Sequence, residues 1–490
     1  MHWRTGCRHL STQLFVVCLA VSLGLSCSSS EPTASNDVAP RIVSLVIVPD
    51  SLNLLVGDTL TVHAVFLDDN GDSLRASRPV WSCTNPSVAL VDSAGALEAI
   101  SEGRALLRAA AGGFEDAASV LVDPDPIIGL QVTPDTTRLL VGEERMLVAD
   151  YVRVSGRKLE AQSVSWVSET GSVVGIDATG RIAGMSPGKG VIRATADTFA
   201  AEAVVFVPGW FQLPPLPEPR RAGHAAAVGG RIYYIGGKSS GGGLETTTYV
   251  YDISSHTWST GPPMPTARDH GATAVLGDRI HIIGGNCYLK THEVLYTTDM
   301  TWTTAAPIPF RFCGLRADTL TGFVYTLGGS QTGPNDTVMV YNPAADSWAF
   351  KDRIPYRRTH FAVGSINGNF YLAGMSTVEW KGSTLLVYDP ARDKWHEGPE
   401  MPTPRYFVNG VVWQGRLFTL GGARGYDVVK DAVESYDPSI DAWSVHSSLP
   451  VPRQEVRAVL VDGVIYVIGG AINDYDYHTE ATDRVDGYVP

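Results

Sequence analysis

Apolar and polar positions alternate over short stretches of this chain. Leu60, Val62, Ala64 and Phe66 are separated by Thr61, His63 and Val65, a period of two that predicts a half-buried strand. Pro49-Asp50, Asp69-Asn70-Gly71-Asp72 and Ser93-Ala94-Gly95 punctuate the runs as turns. Further along, short apolar runs replace the alternation. Val464-Ile465-Tyr466-Val467-Ile468 lies between Gly463 and Gly469-Gly470, as a strand buried on both faces would. The predicted elements are short strands joined by turns, an all-β chain.

Two internal repeats organise these strands. At an offset of 85 residues, Leu54-Leu55-Val56-Gly57-Asp58 recurs as Leu139-Leu140-Val141-Gly142-Glu143, and Trp81, Asp92, Gly95, Gly103 and Arg108 fall on Trp166, Asp177, Gly180, Gly188 and Arg193. One register over the whole unit predicts two copies of one small β-sandwich, at 41–123 and 126–207. From Trp210 a shorter period takes over. Trp recurs at 210, 258, 302, 348, 395 and 443. Ten residues later stand Arg220, Arg268, Phe312, Arg358, Arg405 and Arg453, and then Gly236, Gly284, Gly328, Gly374, Gly421 and Gly469, five of them followed by a second Gly. Tyr251, Tyr296, Tyr341, Tyr388, Tyr436 and Tyr488 close the pattern. Constant offsets require rigid strand–turn–strand units of four strands each. Trp210 stands alone ahead of the first unit and the sixth unit lacks its own Trp. The first strand is therefore expected to complete the last unit and close a ring over 209–490.

These motifs carry two resemblances. The Val-Gly-Asp/Glu, Trp, Asp-x-x-Gly and Gly-x-x-x-x-Arg-Ala landmarks of 41–123 and 126–207 resemble the group 2 bacterial immunoglobulin-like domain, which implies stalk or adhesion modules. The six units resemble the kelch repeat, which implies a six-bladed β-propeller. In some kelch propellers arginines at the matching position contact acidic ligands, and some bacterial kelch propellers are sugar epimerases.

The N-terminus changes the picture again. Arg4 and Arg8 precede an apolar stretch, Leu14 to Leu25, that is too short to span a bilayer. Residues 1–26 read as a signal peptide, and the Ser26-Cys27 junction resembles a bacterial lipoprotein signal, with Gly24 where such signals usually carry Leu. That resemblance implies lipidation at Cys27 and a flexible tether over 27–40. The expected location is the bacterial outer membrane or cell surface, with periplasmic or secreted forms as the alternative. The 490 residues carry a formal net charge of −13, with 44% hydrophobic and 18% charged residues. An acidic, globular chain without a basic run is a poor nucleic-acid binder, so membrane contact is expected through the lipid anchor only. Six cysteines rule out a disulfide framework. Cys83 is expected to be a buried free thiol.

Length variation falls between the Gly pair and the following Tyr, the loop joining second to third strands. That loop shares a face with the entry to the first strand, so the rim there is the expected binding surface. Candidate ligand-binding residues are Tyr288, Trp380, Arg424, Tyr426, Tyr475 and Tyr477 in the loops, whose aromatic faces suit sugar rings or peptides. The ring positions Arg220, Arg268, Arg358, Arg405 and Arg453 join them, either contacting ligand or hydrogen-bonding loop carbonyls. Cys287 and Cys313 fall on the same rim in adjacent units and are expected to form a disulfide in an exported protein. Cys287, Tyr288 and His292 do not make the geometry of a copper site. No metal, cofactor or catalytic pair is identifiable. The expected function is an exported surface binding or adhesion protein for a glycan or protein ligand; the alternative is a propeller enzyme acting on an acidic sugar, epimerase- or mutarotase-like.

Overall fold

The computed structural model describes residues 41–490 except 77, 331–334, 375–381, 425–427 and 473–479. All regular elements among the described residues are strands. The chain divides into two compact units, 1–125 and 126–490.

The first unit is a sandwich. One sheet pairs Ile42–Val48, His63–Asp68 and Ser73–Arg75; the facing sheet has the order Ser51–Leu55, Phe114–Asp123, Gly103–Ala111, Val80–Cys83. Val62 and Ala64 point inward with Leu45, Ile47, Leu97, Leu107 and Val120, and Trp81 packs against them. The Asp-x-x-Gly landmark is a turn. The Asp92 carboxylate accepts the Ala94 and Ala96 N–H groups, each at 2.8 Å. Gly95 there has φ +88°, and a Cβ on it would come within 2.6 Å of the Val62 carbonyl oxygen. Cys83 is free and half-buried.

The second unit contains the second sandwich and the propeller. The sandwich repeats the strand order of the first, with Thr136–Arg138, Phe199–Val207, Gly188–Ala196 and Ser165–Ser168 forming its four-stranded sheet. Six four-stranded antiparallel sheets follow as blades. Their inner strands are His224–Val228, Ala272–Leu276, Arg316–Leu320, Ala362–Ile366, Asn409–Trp413 and Arg457–Val461, and each neighbours the next around a ring, the sixth returning to the first. The outer strand of blade six is Gly209–Gln212. Trp210 pairs with Tyr488 across that ladder, and their rings stack at 4.4 Å.

The repeat landmarks join one blade to the next. Each Trp indole N–H donates to a carbonyl just past the outer strand of the preceding blade: Trp210 to Ser447, Trp258 to Pro214, Trp302 to Pro262, Trp348 to Ala306, Trp395 to Asp352 and Trp443 to Pro399, at 2.8–3.3 Å. Phe could fill the space but could not make this bond. The Gly pairs reach the following blade. Gly237, Gly285, Gly329, Gly422 and Gly470 donate their N–H to the carbonyls of Arg268, Phe312, Arg358, Arg453 and Arg220. The first Gly of each pair lies against that same carbonyl; a Cβ on Gly421 would meet the Arg453 oxygen at 2.4 Å. Each such hydrogen bond contributes about 1 kcal/mol, and the repeat multiplies it around the ring.

The second sandwich sits on one face of the propeller. Lys189 Nζ lies 2.9 Å from Asp462 Oδ2, Phe206 packs on Gly463, and the Arg138 guanidinium lies 5.6 Å from the Trp413 ring centre. Asp462-Gly463 is the turn between first and second strands of blade six, and Trp413 ends the first strand of blade five beside the corresponding turn. The strand entries and second-to-third-strand loops therefore occupy the opposite face.

Candidate functional site: the channel mouth

Two residues beyond each ring position, the chain turns into the inner strand through a left-handed residue. These are Ala222, His270, Gly314, His360, Phe407 and Glu455, with φ between 51° and 65°. Five are not glycine, and each such conformation costs about 1 kcal/mol. Hydrogen bonds around the axis offset it: His270 N–H donates to Ala222 O at 3.0 Å, Gly314 to His270 O at 2.7 Å and His360 to Gly314 O at 2.9 Å. The turn brings six blades to one point and aims the side chains of five of them at it.

An ion cluster fills that point. His270 Nε2 lies 2.9 Å from Glu455 Oε1 and Nδ1 lies 2.8 Å from Asp269 Oδ2. Arg221 donates to Glu455 Oε2 at 2.6 Å, and Lys238 Nζ lies 3.2 Å from Asp269 Oδ2. Burial alone would lower the His270 pKa, but Glu455 and Asp269 raise it above the ordinary value. Burial would raise both carboxyls, yet His270 with Arg221 on Glu455, and His270 with Lys238 on Asp269, hold them well below the carboxylate range. His360 differs. Its Nδ1 is 2.9 Å from Thr359 Oγ1, and its ring packs on Phe407 at 4.3 Å and on His270 at 5.0 Å. Burial and then the His270 charge keep it neutral, with a pKa well below its ordinary value.

Below the mouth the channel widens into a cavity of about 270 Å³. Its wall is built of small residues, Ala225, Thr273, Ala317, Val363, Gly410 and Ala458, one per blade. Arg316 and Arg457 also line it.

Of the two roles expected for the ring arginines, the described contacts are those of the second, hydrogen bonds to carbonyls, made with the side chains turned inward from the rim. Arg220, Arg268, Arg358, Arg405 and Arg453 are all buried. Arg268 bonds Glu293 at 2.5 Å and Gly284 O at 3.1 Å; Arg405 lies 3.1 Å from Glu434; Arg453 bonds Asp486 and Arg484 O; Arg220 bonds Glu218 at 2.5 Å; Arg358 bonds Leu372 O at 3.2 Å. The reason is local. The third strands of blades two, five and six carry Glu293, Glu434 and Asp486 at matching positions, facing the guanidinium. In blade three, where Phe312 replaces Arg, the matching residue is Met339, and both sit in one apolar cluster.

Of the loop candidates, Tyr288 is 73% exposed. Arg424 is exposed on a short ribbon in which Ala423–Arg424 pairs with Val428–Val429. Trp380, Tyr426, Tyr475, Tyr477 and Cys27 lie outside the described residues. Cys287 and Cys313 form a disulfide linking blades two and three. His292 is buried in blade two beside His281, at 2.8 Å. Among the described residues no group of three or more His, Cys, Asp or Glu could hold a metal ion. Sequence reasoning missed Asp269, Glu455, Arg221, Arg316 and Arg457 as a group. A signal for the last two exists: fourteen residues after each Trp stand His224, Ala272, Arg316, Ala362, Asn409 and Arg457, and Arg recurs there in the third and sixth units.

Two family models match parts of this chain. A kelch motif matches residues 219–265, and a bacterial Ig-like domain (group 2) matches 128–206. Ice-binding protein 1 of Shewanella frigidimarina is 22% identical over 170 residues, 34% of this chain, and the match spans 19% of that relative's length. The solved structure of YjhT is 15% identical, with a TM-score of 0.48 over 56% of this chain and 95% of its own. The chain is an all-β protein that carries a group 2 bacterial Ig-like domain and a kelch motif.

Proposed function

We propose that this is an exported surface binding protein, held by a lipid on Cys27, whose propeller presents its loop face to a glycan or protein ligand. The observation that carries this reading is the seat of the second sandwich. It occupies the turn face through Lys189–Asp462 and Phe206–Gly463, so the face bearing Tyr288 and Arg424 points away from it. A stalk module on one face and exposed aromatic and cationic loop residues on the other suit display of a binding surface. The ice-binding relative's name fits the same class and supplies no ligand for this chain. No helix among the described residues is long and apolar enough to cross a membrane.

The alternative, an enzyme on an acidic sugar, needs a carboxylate or imidazole free to carry a proton. At the mouth, Glu455 and Asp269 are both engaged by His270 and by Arg221 or Lys238, and His360, neutral and held well below its ordinary pKa by burial, is a weak base packed against Phe407 and His270. Binding is therefore the reading we adopt. The whole chain, presented to a glycan array and a peptide library, should retain a ligand, and Tyr288→Ala with Arg424→Ala should weaken retention without lowering the melting temperature. A parallel mutarotation assay on sialic acid should be silent; turnover without retention would overturn the reading. Cys27→Ser should move the protein from the membrane fraction to the soluble one, and identical partitioning of both forms would remove the anchor.

A further inference from the structure

Two arginines in the channel have no acid partner among the described residues. Arg316, on the inner strand of blade three, donates from Nε to Phe361 O at 2.7 Å and from Nη2 to Val408 O at 3.3 Å. Arg457, on the inner strand of blade six, donates from Nε to Gly223 O and from Nη1 to Val456 O at 3.1 Å. Phe361 and Gly223 hold the same position in the blades that follow, so the two arginines repeat one arrangement on opposite sides of the ring. They are 9% and 6% exposed and both line the 270 Å³ cavity. Neither forms an ion pair with a carboxylate, unlike Arg268, Arg405 and Arg453. Arg457 Nη2 is buried and has no hydrogen-bond partner among the described residues.

A buried guanidinium bonded only to neutral carbonyls retains its full charge in a medium that disfavours it. Burial, and then the Arg457 charge, pull the Arg316 pKa down to about 9. The surroundings do not neutralise the pair. Around the upper channel stand the cations Arg221, Lys238, His270, Arg316 and Arg457. The ionised carboxylates facing them are Glu455 and Asp269, already engaged by the first three. The remaining acid, Asp318, has its carboxyl raised by burial and accepts the Thr319 and Ser365 N–H groups at 2.7 Å. In a chain of net charge −13 this is a local excess of positive charge, set in a channel lined by small residues.

We infer that the channel cavity is an anion site, in which Arg316 and Arg457 hold a small anion, an inorganic ion or the carboxylate of a small molecule, between opposite blades. Both guanidiniums are bonded only to carbonyls, so their positive charge is left for the ligand to meet. The small wall residues Thr273, Ala317 and Ala458 leave room for the ligand. This site is separate from the loop face and does not depend on what that face binds.

The whole chain in halide-free buffer is titrated with chloride, sulfate, glucuronate and, as a neutral control, glucose, with melting temperature and calorimetry as readouts. The expected result is a saturable rise with at least one anion, a dissociation constant below about 1 mM, and no rise with glucose. Glucuronate alone identifies a carboxylate ligand; chloride or sulfate alone identifies an inorganic one. Arg457→Gln should weaken binding at least about tenfold, while Arg457→Lys keeps most of it. Thr273→Leu fills the cavity without touching either arginine and should abolish the effect, which decides the matter if Arg457→Gln fails to fold. Tyr288→Ala should leave it unchanged. Absence of a saturable effect with all three anions overturns the site, as does an effect that survives Thr273→Leu.

Discussion

His270 Nε2 and Glu455 Oε1 meet at 2.9 Å although their blades are not neighbours; blade one, with only Ala222 at the matching position, lies between them. With Asp269 on Nδ1, the imidazole donates from both nitrogens, which requires the charged form. The sign of the pH dependence follows. His270 has a raised pKa, so its contribution is complete below the unfolded value of 6.5 and is lost as pH rises through the folded one. Glu455 and Asp269 have lowered values, so theirs is present above the unfolded 4.5 and 3.8 and is lost as pH falls. His224, held down to about 3, and His360 are kept neutral by burial and work against stability below 6.5. Melting curves of wild type and His270→Asn across pH 5 to 9 isolate the first contribution. The difference between them should shrink as pH rises from about 6.5; a constant difference means His270 is neutral.

The buried pair Arg405–Glu434 should be replaceable by the solution blade three already uses. Arg405→Phe alone strands a buried carboxylate and should cost about 3 kcal/mol. Arg405→Phe with Glu434→Met copies Phe312 and Met339 and should recover most of that loss. Denaturant midpoints of the two singles and the double give the coupling. A double variant as unstable as the sum of the singles would mean that the two side chains are not coupled.

Ring closure rests on few residues. Trp210→Ala removes the stack on Tyr488 and the bond to Ser447 O, and should cost about 3 kcal/mol. Trp210→Phe should keep the packing and lose about 1 kcal/mol with the indole donor. Equal effects of the two substitutions, read by chemical denaturation, would mean that the hydrogen bond carries the contribution and the stack does not.

The Cys287–Cys313 disulfide closes a loop with a sequence separation of 26. Replacing both by Ser should cost about 3 kcal/mol through the unfolded chain. The effect should match that of reductant on wild type, and reductant should leave the double Ser variant unchanged.

The repeats were legible because a strand–turn–strand unit fixes spacing, and spacing survives in sequence. Side-chain direction was less so. The ring arginines were expected at the rim because their position in the repeat marks the strand entry. The register says where a residue stands and leaves open which way it reaches. The counter-signal lay in the repeats themselves: acids at 293, 434 and 486 accompany Arg at 268, 405 and 453, while Met339 accompanies Phe312. The His270–Glu455 contact had no such trace. It arises only when six entries converge on an axis, and nothing periodic says which two side chains will meet there.

Only Pro208 separates the last strand of the second sandwich, Phe199–Val207, from Gly209–Gln212, the strand that closes the propeller. Tension borne along the chain from the sandwich therefore enters the propeller at its clasp. The first elements to feel a pull are the four-residue ladder against Val485–Val489 and the Lys189–Asp462 contact beside it. A protein held at one end and engaged at the other would thus have its mechanical fuse at Trp210, in the segment where the ring opens.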